Sequence, residues 1–165
     1  MTTTRAYQTL HDLPAHTREQ MVTLLNQQLA DAFDLYSQTK QAHWNVRGPE
    51  FSQLHALFDE LADAMRGYVD LIAERVTALG GEARGTARMA AAASRLPEYP
   101  TDLAKGMDHV RCLAERYASL AATTRAGIAT ATEAGDLATA DLLSDICRGL
   151  DKHLWFLEAH LQTRE

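Results

Sequence analysis

Five side chains of this sequence have the chemistry to hold a transition metal: His43, His55, Asp59, Asp70 and Glu74. His55/Asp59 and Asp70/Glu74 are each i,i+4 pairs, a spacing that brings two side chains together on one helical face. At roughly 100° per residue, these four fall near 0°, 40°, 60° and 100° around a single helix, so they share a stripe. One copy of that stripe cannot close on one ion. Asp59 and Asp70 are separated by about 16 Å along a helix axis, whereas ligand atoms must sit roughly 2 Å from a metal. An antiparallel second copy of the helix, related by a two-fold axis, would set Asp70 and Glu74 of one chain against His55 and Asp59 of the other. His43, across a short hinge, is then in reach as a further ligand. Imidazoles mixed with carboxylates suit Fe(II), Mn(II) or Zn(II) better than calcium or copper. The same spacing is also met on an ordinary solvated helix face that carries acids. If the residues bind metal, the protein is a dimer or larger.

Helices must position these residues. From Thr17 the apolar positions Met21, Leu25, Leu29, Phe33 and Tyr36 recur at helical spacing, giving a first helix over 17–46 that opens on a Thr17–Gln20 capping box. Arg47-Gly48-Pro49 breaks it. A second helix over 51–79 carries Leu54, Phe58, Leu61, Met65, Ile72 and Val76 and stops at Gly80-Gly81. The segment 80–100 is a connector whose TARMAAAASRL run favours a short helix. Thr101 opens a third long helix over 101–133, and Asp136 opens a fourth over 136–162. No strand-like alternation, internal repeat or low-complexity tail interrupts this plan. The fold class is all-α: a single domain over 1–165, with an arm at 1–16 and a four-helix bundle whose central crossover connector carries a short extra helix. Many such bundles hold a di-iron site through Glu-x-x-His on two helices. No glutamate of this chain has a histidine three residues on, so that intra-bundle centre is not expected.

Composition limits the partners. The formal charge is −6, lysine occurs three times, and no apolar run approaches the roughly 20 residues of a membrane span. Clustered Lys and Arg are what phosphate backbones require. The first sixteen residues offer Arg5, with His11 and His16 gaining charge only in acid. Cys112 and Cys147 lack metal or redox spacing and read as packed, reduced thiols, which points to the cytoplasm. No secretory signal is visible at the N-terminus.

The run AHWNVRGPEFSQLHALFDE, followed by YVDLIAERVTALGG, resembles the Dps family of mini-ferritins, whose signature has the form H-W-N-x-R-G-x-x-F-x-x-x-H-x-x-x-D. The helix plan, the connector ending in YP, and LDKHLWFLEAHL extend the similarity over nearly the whole chain. The resemblance implies a ferritin-like fold and a hollow dodecameric shell. It implies ferroxidase activity, with Fe(II) oxidised preferably by hydrogen peroxide and ferric mineral stored inside. By the same resemblance His43, His55 and Asp59 of one subunit join Asp70 and Glu74 of its two-fold partner in a two-iron centre, with Zn or Mn as substitutes. Two irons together let peroxide take two electrons without releasing hydroxyl radical.

The resemblance also assigns Asp136, Asp141 and Asp145 to an acidic three-fold pore for iron entry, although residue by residue Asp136 reads as an N-cap and the others as solvated. Glu60 and Asp63 are candidates for seeding mineral, or an ordinary hydrated face. Trp44 and Trp155 are candidates for quenching stray radicals, with simple packing the plainer role for both. Family members that bind DNA generally do so through a lysine-rich arm. This one has no lysine, so DNA binding is expected to be weak or absent near neutral pH, leaving room for binding in acid. The alternative is a nucleoid-associated, DNA-compacting protein with secondary metal chemistry.

Overall fold

A computed structural model of the chain describes residues 7–103 and 105–162. Helix α1 (Ala15–Asn45) starts at Pro14, whose fixed extended backbone (φ −53°, ψ 144°) sets the first turn. Thr17 therefore lies inside the helix, buried, and does not form the expected capping box. Gly48 takes φ 110°, a conformation that excludes ordinary side chains, and turns the chain into α2 (Phe51–Ala78). Gly80 at φ 82° ends α2 with its amide on Thr77 O, while Gly81 N reaches Val76 O. The short α3 (Ala87–Ala93) is capped by the Thr86 hydroxyl. α4 (Gly106–Glu133) begins at Gly106 rather than at 101. Lys105, just before it, is extended (φ −112°, ψ 147°), and Gly106 is pressed against the α1–α2 hinge, where a Cβ would lie 2.7 Å from Leu54 Cδ1. α5 (Leu137–Leu161) opens on Asp136, as expected.

Cross-helix pairs define the topology. Lys40–Asp59 and Arg18–Leu79 run α1 against α2 antiparallel. Thr124–Gln28 and Tyr117–Thr39 do the same for α4 and α1. The close approach of Gly127 to Leu143 and the Cys147–Ala121 contact do so for α4 and α5. α2 and α4 are consequently parallel, which the crossover through α3 makes possible. Leu25, Leu29, Leu35, Phe58, Leu61, Met65, Leu113, Leu143 and Leu150 fill the core at full burial, each contributing about 1.5–3 kcal/mol. Asp31 and Arg95 form a charge-assisted pair that anchors the connector to α1. Of the arm, residues 7–14 lie against the end of α2, with Tyr7 N on Gly80 O at 2.8 Å. Arg5 lies outside the described residues. No described helix is long and apolar enough to cross a membrane.

Candidate metal centre

The antiparallel α1–α2 hairpin brings the end of α1 beside the start of α2, and that places His43, His55 and Asp59 together. His43 Nδ1 lies 2.8 Å from His55 O, and His55 Nδ1 lies 2.9 Å from His43 O. A carbonyl oxygen only accepts, so each Nδ1 carries the hydrogen and each Nε2 keeps its lone pair. Such backbone bonds to the far nitrogen fix ring orientation at metal-binding histidines. The two rings stack with centroids 3.8 Å apart, and Phe51 lies 5.1 Å from His55. His43 Nε2 is 3.8 Å from Asp59 Oδ1.

Lys40 completes this corner and was missed from the sequence. Its Nζ is 2.6 Å from Asp59 Oδ1 and 5.7 Å from the Trp44 ring centroid. The hydrogen bond from Lys40 holds the Asp59 carboxyl below its ordinary range, outweighing the opposing effect of burial, and the Lys40 charge adds to it. The signal was available: Lys40 precedes His43 by three positions on α1 and so shares its face.

Asp70 and Glu74 lie further along α2, exposed, and their carboxylates have no hydrogen bond or ion pair to any described residue. Among the described residues of this one chain, no group of three or more His, Cys, Asp or Glu is close enough to share an ion. Two imidazole nitrogens with Asp59 stand at one end of the stripe, and two free carboxylates stand at the other.

The remaining acids separate by environment. Asp136 is 2% exposed and its oxygens are taken: Thr139 N at 3.0 Å, Thr139 Oγ1 at 2.5 Å and Arg75 at 2.8 Å. Burial pushes its carboxyl up, but the Thr139 hydroxyl and amide with Arg75 outweigh that and hold it below the ordinary value. In this chain it caps α5 and ties it to α2. Asp141 and Asp145 are exposed on α5, Asp145 beside Arg148 at 2.9 Å. Glu60 is exposed, and Asp63 faces Arg66 at 3.7 Å, a pair too solvated to hold its carboxylate. Trp44 and Trp155 are 66% and 61% exposed, so neither packs in the core of this chain. Trp155 lies against Phe156. Both cysteines are buried and unpaired, with burial raising their thiols.

The fold defines a class, and comparison with known proteins agrees. The ferritin-like domain family matches residues 22–165. The DNA protection during starvation protein of Agrobacterium fabrum is 42% identical over 160 residues, covering 97% of this chain and 99% of that one. Its counterpart in Brevibacillus brevis is 36% identical, covering 86% and 95%. Among solved structures, DpsC from Streptomyces coelicolor superposes with a TM-score of 0.92 at 32% identity, covering 97% of this chain and 94% of that one. Vibrio cholerae Dps, described as a member of a broad superfamily of ferritin-like diiron-carboxylate proteins, gives 0.87 at 28% identity, covering 96% and 98%. The chain belongs to the Dps family.

Proposed function

We propose that this protein oxidises Fe(II) at centres shared between two-fold-related subunits and stores the ferric product inside a closed shell, protecting the cell from oxidative damage. The observation that carries the reading is the reciprocal bonding of His43 and His55, which leaves both Nε2 lone pairs free, that of His43 at 3.8 Å from Asp59. His43, His55 and Asp59 of one chain would face Asp70 and Glu74 of the partner, and iron is substrate and cargo there. The chain's own groups do three things. The imidazoles and Asp59 bind and orient Fe(II). The hard carboxylate oxygens of Asp59, Asp70 and Glu74 favour the Fe(III) product. Lys40 holds Asp59 ionised and must yield as a divalent cation arrives.

With hydrogen peroxide as oxidant the electrons balance. Two Fe(II) give one electron each, the O–O bond breaks, and two hydroxides form. Delivering both electrons at one site avoids release of a hydroxyl radical, and exposed Trp44, next to the pair, is placed in sequence to intercept one. Zn(II) and Mn(II) suit the same donors as competitors. Asp141 and Asp145, exposed on α5, are proposed to line the three-fold entry of a dodecamer, with the field of symmetry-related carboxylates concentrating cations. Glu60 and Asp63 are proposed to seed mineral on the cavity side.

The relatives' names support a protective role toward DNA. The net charge of −6 and the lysine-free start argue that this chain protects by removing iron and peroxide rather than by coating DNA. Stopped-flow oxidation of Fe(II) by peroxide tests the assignment. The double substitution His55→Ala, Asp59→Ala is expected to abolish fast oxidation, and a wild-type rate in that variant would overturn the reading.

A further inference from the structure

Away from the metal-binding stripe, the end of α1, the strap 99–103 and the start of α4 enclose a polar pocket lined by Gln41, Asn45, Arg47, Tyr99, Thr101 and His109. Its walls include several hydrogen-bond donors. The Arg47 guanidinium has no hydrogen bond or ion pair to any described residue. Asn45 gives one amide hydrogen to Gln41 O at 2.8 Å and has another free. His109 is 3% exposed, and its Nδ1 sits 2.6 Å from the Tyr99 hydroxyl, leaving Nε2 as the nitrogen available to the pocket. Burial lowers the His109 pKa and raises that of Tyr99, so a neutral ring meets a protonated phenol. With Tyr99 donating to Nδ1, the ring hydrogen resides on Nε2 and faces a ligand as a donor.

One further feature favours negative charge there. α4 has no side-chain cap at its N-terminus, which lies in the chain between the lining residues Leu103 and His109, and uncapped first-turn amides attract anions. The hinge reaches this helix end: Arg47 O lies 3.5 Å from where a Gly106 Cβ would stand. Asp108, the acid of the first turn, is beside Arg111 at 3.7 Å.

We propose that this pocket binds a small oxyanion of the phosphate class, held by the Arg47 guanidinium, the Asn45 amide, the Thr101 hydroxyl and His109 Nε2–H. The site is independent of the iron-oxidation reading, because none of its residues belongs to the metal-binding stripe. The test is isothermal titration of inorganic phosphate into the assembled protein at low ionic strength. Wild type is expected to show saturable binding, and Arg47→Gln is expected to weaken it about tenfold or more through loss of its charge-assisted hydrogen bonds. Thr101→Val, which removes one neutral donor, is expected to cause a smaller loss. Arg88→Gln, an exposed arginine on α3, serves as control and should bind like wild type. Absence of saturable phosphate binding by wild type overturns the assignment. So does an equal loss in Arg47→Gln and Arg88→Gln, or binding of a DNA duplex without binding of phosphate.

Discussion

The proposed sharing of the centre between two subunits makes a quantitative prediction. Take one variant carrying Asp59→Asn and a second carrying Asp70→Asn with Glu74→Gln, each expected to oxidise Fe(II) roughly tenfold or more slowly, as loss of even outer-shell metal partners does. On α2 the two mutated positions are about 16 Å apart along the axis, so no single chain can complete a centre from both ends. In shells assembled from equal amounts of the two variants, half of the two-fold dimers are mixed. A mixed dimer has one doubly damaged site and one intact site, because the second variant's Asp59 meets the first variant's Asp70 and Glu74. Activity should therefore return to about a quarter of the wild-type site number under isologous two-fold symmetry. The assay is the burst amplitude of Fe(II) oxidation by peroxide in co-expressed, doubly tagged shells. Mixed shells no faster than either parent would refute the shared-centre reasoning.

The cap at Asp136 is testable through stability. Asp136→Ala removes a helix cap and leaves Arg75 without its partner, a loss of about 2–4 kcal/mol, read as a lower Tm at matched protein concentration. Because the folded carboxyl titrates below 3.8, the stabilisation is complete above that value and is lost as pH falls through the folded pKa. The Tm gap to wild type should thus narrow below pH 4, whereas a gap of constant size would contradict the cap account. Asp141→Asn with Asp145→Asn should instead slow iron uptake while leaving Tm nearly unchanged, and normal uptake would remove those residues from the entry route. Lys40→Gln takes away the cation that pairs with Asp59 at 2.6 Å and should tighten Zn(II) binding measured by competition with a chromophoric chelator. Unchanged affinity would show that Lys40 does not compete for the site.

Much of this protein was readable from local pattern. The helices follow from apolar spacing and from Gly48, Gly80 and Gly135, whose positive φ values mark the breaks. Because side-chain direction along a helix repeats with a known period, the placing of His55, Asp59, Asp70 and Glu74 along one stripe of α2 was legible from their spacing. Other features depend on which surfaces meet. α4 starts late because Gly106 is wedged against Leu54, a contact between residues far apart in sequence. Lys40 gains its carboxylate only when the hairpin lays it on Asp59, and Asp136, already readable as a cap, gains its cation only when α2 delivers Arg75. By itself, then, the sequence determined the helices, their breaks and the ligand types, since these rest on neighbours within a few turns. The tertiary structure alone decided which carboxylates are free and which are occupied, because a charge takes its partner from whatever element packs against it.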